Sequence, residues 1–147
     1  MTTVLNTGTY GAPRHQSFVA RIPSVLPAVA DVRRRLQQQL LIWACPKNTD
    51  LVVLVAHELV ANAVRHGCRH AREEVRLVVH RMGNRLLITV EDPSPAVPLP
   101  RPVTDDALDG RGLPLIDAVA ASWGYRLNEG GVGKKVWCLV ITDASQP

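Results

Sequence analysis

The sequence predicts an α+β fold, a two-layer α/β sandwich in which one mixed, mostly antiparallel sheet is covered on one face by three helices. Three observations predict it. Two pairs of segments rich in Val, Leu, Ile and Thr or Trp flank turn-forming residues, which reads as two hairpins. Between and ahead of them, apolar residues recur at helical spacing. A proline-rich stretch, residues 93–112, then interrupts the regular pattern.

Residues 1–15 carry Gly, Thr, Asn and Pro without periodicity and read as a flexible lead-in. Residues 16–22 read as an edge strand, and Pro23, Ser24 and Pro27 mark a turn into a helix. Val29, Val32, Leu36, Leu40 and Trp43 form that helix's apolar stripe, which Cys45-Pro46 should end because Pro cannot continue the hydrogen-bond ladder. Asn48 or Thr49 can cap a second helix running to about His66, with Gly67 as the residue just past its end. Residues 75–80 and 85–91 make a hairpin about Met82-Gly83-Asn84. Pro114 suits the first turn of a third helix containing Leu115, Ile116, Val119 and Ala120. Residues 123–128 and 135–141 read as the last two strands around the turn at 129–133, and 143–147 as a tail. A single domain over 16–142 is expected.

Composition narrows the function classes. A chain of 147 residues with 46% apolar and 20% charged residues can build a core and is not wholesale disordered. No apolar run approaches the ~18–20 residues of a membrane span, and the start lacks a basic-then-apolar leader pattern, so a cytoplasmic protein is the expectation. Cys45, Cys68 and Cys138 are isolated and odd in number, which argues against a disulfide framework or a zinc knot. The net charge of +4 and Arg33-Arg34-Arg35 raise a nucleic-acid binder as one option, but aromatics are only 4%, so stacking platforms are scarce. Direct nucleic-acid binding is not expected.

The second helix is the most informative stretch. Glu58, Asn62 and His66 recur at i, i+4, i+8 and so should share one face, extending the stripe of Leu51, Leu54 and Val55. A carboxylate and an amide that continue an apolar stripe are costly unless paired or engaged by a ligand. Mg²⁺ would suit them, since it takes oxygen ligands and leaves the rest of its shell to phosphate and water. The ordinary alternative is a helix whose polar groups reach the rim. His57-Glu58 begins like a zincin motif but lacks the second His, and His66-Gly-Cys68-Arg-His70 matches no established metal spacing.

Two loops could meet a nucleotide. Asp92 closes a strand before Pro93-Ser94, and a carboxylate there can accept a hydrogen bond from an exocyclic amine such as that of adenine; plain turn chemistry is the alternative. Gly110-Arg111-Gly112, followed by Leu113 and a helix, offers close backbone approach to phosphate, free N–H groups and a positive side chain; a hinge is the alternative.

Taken together, Glu58-x-x-x-Asn62-x-x-x-His66-Gly67, Asp92 after a hairpin, Gly110-x-Gly112-Leu113 and Gly133-Lys134-x-Val136-Trp137 resemble the GHKL ATPase superfamily, and within it the small bacterial anti-sigma-factor serine kinases. The resemblance covers about residues 16–142. It implies a Bergerat-type sandwich binding ATP and Mg²⁺, with Asn62 as the magnesium ligand and Asp92 on the adenine amine. It implies that Gly110 and Gly112 contact phosphate under a lid of residues 95–110, that His66, Ser94, Arg111, Leu113 and Gly133 complete the nucleotide site, and that Glu58 is the general base toward a serine hydroxyl. The implied partners are a sigma factor and a small antagonist protein with a phosphorylatable serine, and such relatives often form homodimers. The chain departs from the family pattern at Ser94, where Gly is usual, and at Lys135, where Thr or Ser is usual. No Arg of the first helix aligns firmly with the family's phosphate-side arginine; Arg33 and Arg34 are the candidates. A module that holds ATP without transferring it is the second functional expectation.

Overall fold

In each strand every second residue is apolar, and those residues share one face of a five-stranded sheet. A computed structural model describes residues 15–45, 49–70, 72–94 and 120–142. The described elements are β1 (His15–Pro23), α1 (Leu26–Ile42), α2 (Thr49–Asn62), a π-helical turn (Ala63–Gly67), β2 (Glu74–Met82), β3 (Arg85–Asp92), β4 (Ser122–Leu127), a 3₁₀ turn (Glu129–Gly131) and β5 (Lys134–Ile141). The strand order is β1-β2-β3-β5-β4, and all four pairings are antiparallel rather than mixed. The third helix, the glycine loop and the proline-rich stretch from residue 95 lie outside the described residues.

The inner face of the sheet carries Phe18, Ala20 and Ile22 of β1, Val75, Leu77 and Val79 of β2, Leu86, Ile88 and Val90 of β3, and Val136, Cys138 and Val140 of β5, all buried. Val29, Val32, Leu36 and Leu40 of α1 and Val52, Val53, Val55, Ala56, Leu59 and Val60 of α2 close over them. Each fully buried Val, Leu or Ile contributes about 1.5–3 kcal/mol relative to exposure, so these columns hold the two layers together. The end of α1 meets Arg81 near the hairpin turn, and the turn that follows α2 meets Asp92 at the other end of β3. The chain therefore leaves β1 at one end of the sheet, turns at the far end after α1, and returns along α2.

At that far end α1 stops sooner than Cys45-Pro46 alone requires. Ile42 is the last helical residue, Trp43 caps it, Ala44 takes φ +52°, and the Cys45 and Ala44 amides donate to the Leu40 and Leu41 carbonyls at 3.2 and 3.0 Å. This pair of bonds is a Schellman closure with Ala in the left-handed position that Gly usually fills. Arg81 of β2 then ties the helix end to the hairpin, donating to the Trp43 carbonyl, to the Gly83 carbonyl at 3.0 Å and to Gln16 Oε1 at 3.2 Å. The hairpin turns at Gly83, whose φ of +61° is the kind that two-residue hairpin turns require.

Two of the three arginines in the α1 run have a neighbour within the chain. Arg34 lies 3.6 Å from Asp31, and the Arg35 guanidinium sits 5.8 Å from the Phe18 ring centre. Among the described residues, no helix is long and apolar enough to cross a membrane.

Candidate functional site

The site end of the sheet is where the apolar alternation runs out without changing face. In β3 the inner positions Leu86, Ile88 and Val90 are followed by Asp92, and in β5 the inner positions Val136, Cys138 and Val140 are preceded by Lys134. The register sets Asp92 directly opposite Lys134. Both are buried, at 3% and 5% exposure, and they form an ion pair with Lys134 Nζ 2.9 Å from Asp92 Oδ1. The Ser94 amide donates to the same oxygen at 2.8 Å, an Asx turn across Pro93, and Lys134 Nζ also donates to the Ser94 carbonyl at 3.2 Å. A buried charge needs both a counter-charge and hydrogen bonds, and this cluster supplies both.

Two glycines let the chain close around Asp92. A Cβ at Gly67 would lie 2.4 Å from Asp92 Cγ, so the π-helical turn presses its bare backbone against the carboxylate. Gly67 is not the left-handed residue past the helix end that the sequence predicts; it belongs to the π turn and its φ is not positive. Gly133 has φ +80°, and a Cβ there would lie 2.4 Å from the Asp92 carbonyl oxygen.

Glu58 and Asn62 stand half-buried on α2, while His66 is exposed. The switch from α to π winding after Asn62 widens the last turn, so equal spacing no longer stacks His66 above the other two. Asn62 Oδ1 receives one long bond, 3.5 Å, from Arg65. Among the described residues no hydrogen bond or ion pair engages Glu58. A cleft of about 310 Å³ opens next to this cluster, lined by Gly67, Arg69, Glu73, Pro93, Ser94, Gly131 and Val132; Asp92, Lys134, Glu58 and Asn62 do not line it. Gly110, Arg111, Gly112 and Leu113 lie outside the described residues.

The cysteines are inert by environment. Burial pushes the Cys138 thiol up to about 12. Burial also raises Cys68, helped by the nearby charges of Glu73 and Asp92, and raises Cys45 against the pull of Arg81. All three are free thiols.

A family model for the histidine kinase-like ATPase domain matches residues 22–139. The chain belongs to that family. No curated protein matches it. The match runs from the end of β1 into β5, so it takes in the Asp92–Lys134 cluster, α2 and the glycine loop. As a histidine kinase-like ATPase domain of GHKL type, it is an ATP-binding unit on an α+β sandwich.

The donor set of this ATPase domain fits magnesium. The Asn62 amide oxygen is a hard oxygen donor of the kind magnesium takes, one turn of α2 from the Glu58 carboxylate. Among the described residues no group of three or more His, Cys, Asp or Glu could hold a metal. Two residues of the site escaped the sequence-predicted set. Lys134 stands in the Gly133-Lys134-x-Val136-Trp137 motif without a role of its own there, although counting back by twos from Cys138 places it on the core face. Gly67 reads as a helix terminator, and only the structure shows it against Asp92.

Proposed function

We propose that this ATPase domain is an anti-sigma factor with protein-serine kinase activity toward a small antagonist protein. The observation that carries the reading is Glu58, a half-buried carboxylate one turn before Asn62 that no hydrogen bond or ion pair engages among the described residues. A carboxylate left unpaired beside a metal-binding amide can orient a serine hydroxyl and take its proton, while Mg²⁺ held with the triphosphate offsets the developing charge. Asp92 receives the adenine amine, with Ser94, His66 and Gly133 around it, and Gly110, Arg111, Gly112 and Leu113 take the phosphates. The protein works in the cytoplasm, as a homodimer, against a sigma factor. The test is transfer of labelled γ-phosphate to a candidate antagonist. Glu58→Ala should slow transfer by ~10²–10⁴-fold, with nucleotide affinity kept; equal labelling by both proteins removes Glu58 from the role of base.

The second reading is a module whose nucleotide occupancy controls a protein surface without transfer. One observation favours it. Lys135 stands on the opposite face of β5 from the site and pairs with Glu91 at 3.4 Å, so no hydroxyl is offered there. Stabilisation by Mg-ATP of about 2.7 kcal/mol at 100 times the dissociation constant, with no turnover and no transfer, would select this reading.

A further inference from the structure

An ammonium carries three N–H donors. Lys134 spends two of them, on Asp92 Oδ1 and the Ser94 carbonyl, and among the described residues the third has no partner. Asp92 Oδ1 is likewise saturated, by Lys134 and the Ser94 amide, while Oδ2 takes part in neither bond. Among the described residues the one side-chain polar atom both fully buried and unpartnered is His57 Nδ1, so Oδ2 is not sealed from its surroundings. One free donor and one free acceptor therefore sit on two groups joined by a 2.9 Å contact. Gly67 and Ser94, which hold Asp92 on two sides, line the adjoining cleft. Folding alone needs only the pairing and the Asx turn.

An adjacent donor and acceptor match the Watson–Crick edge of adenine, where the N6 amine donates and ring nitrogen N1 accepts. We propose that Lys134 is a base-reading residue: its third N–H donates to N1 while Asp92 Oδ2 accepts from N6. The inference rests on the reading of Asp92 as the adenine contact. Lys134 supplies this donor from the core face of β5, which Lys135, on the other face, does not reach. A lysine that served only to neutralise Asp92 would be indifferent to N1.

The test measures equilibrium binding of Mg-ATP and Mg-1-deaza-ATP, whose N1 is replaced by C–H, to the full chain and to Lys134→Met. The wild type should prefer ATP by roughly tenfold or more, the range of a hydrogen bond to a charged group, and Lys134→Met should bind the two nucleotides equally. Should Lys134→Met fail to fold, Lys134→Gln, which is polar but too short, should show the same loss of preference. Equal binding by the wild type, or a preference that survives in the variant, overturns the inference and leaves ATP binding at Asp92 standing. No binding of ATP to the wild type overturns the adenine reading itself.

Discussion

The two ends of the sheet are built from similar parts and used differently. At the hairpin end, Arg81 ties Trp43, Gly83 and Gln16 together, and the buried Thr142 donates through both its amide and its hydroxyl to the Asn84 carbonyl, at 2.8 and 3.0 Å. At the opposite end, Asp92, Lys134 and Ser94 form an equally tight knot on the core face. The hairpin knot joins one charged side chain to backbone and amide oxygens at a chain reversal. The Asp92 knot buries a complete ion pair and still holds a donor and an acceptor in reserve. The difference teaches that a half-buried guanidinium suffices to fasten a chain reversal, whereas the buried Asp92–Lys134 pair keeps hydrogen-bonding capacity that fastening does not use.

Removing the cation from each knot separates them most. Lys134→Met leaves Asp92 buried and unpaired, and should cost about 3–5 kcal/mol of unfolding free energy; adding Asp92→Asn should recover much of it. Arg81→Met removes hydrogen bonds to neutral acceptors and should cost about 1–3 kcal/mol. Urea unfolding of the three variants measures both, and equal losses would erase the distinction.

The turn glycines give a smaller contrast. Gly133→Ala meets both a positive φ and the Asp92 carbonyl at 2.4 Å, and should cost about 3 kcal/mol. Gly83→Ala meets open space and pays only for its φ, about 1 kcal/mol. Thermal unfolding should rank them in that order. The smallest effect is a gain at the hairpin end. Ala44→Gly relieves the left-handed φ of +52° and should stabilise by about 1 kcal/mol, with nucleotide affinity unchanged because the residue lies at the far end of α1 from Asp92.

Strands and helices are legible in the sequence where burial is one-sided. Leu86, Ile88 and Val90 alternate with more exposed residues, so β3 declares both its type and its inner face. The same parity carries Asp92 inward and is readable. Lys134 obeys it too, but its partner is 42 residues earlier, and a Lys-Lys pair beside three glycines has the look of an exposed turn. Ala44 hides its backbone state because Ala does not advertise a positive φ as Gly does. His66 is misplaced by periodicity because i, i+4, i+8 assumes one winding, and the chain changes winding after Asn62.

That change of winding constrains how this helix end can vary. The wide turn, Ala63–Gly67, sets four residues between Asn62 and Gly67, whose backbone meets Asp92. Inserting or deleting one residue would rotate a side chain into the place that tolerates none, so variants of this chain at this turn must keep four residues between Asn62 and Gly67.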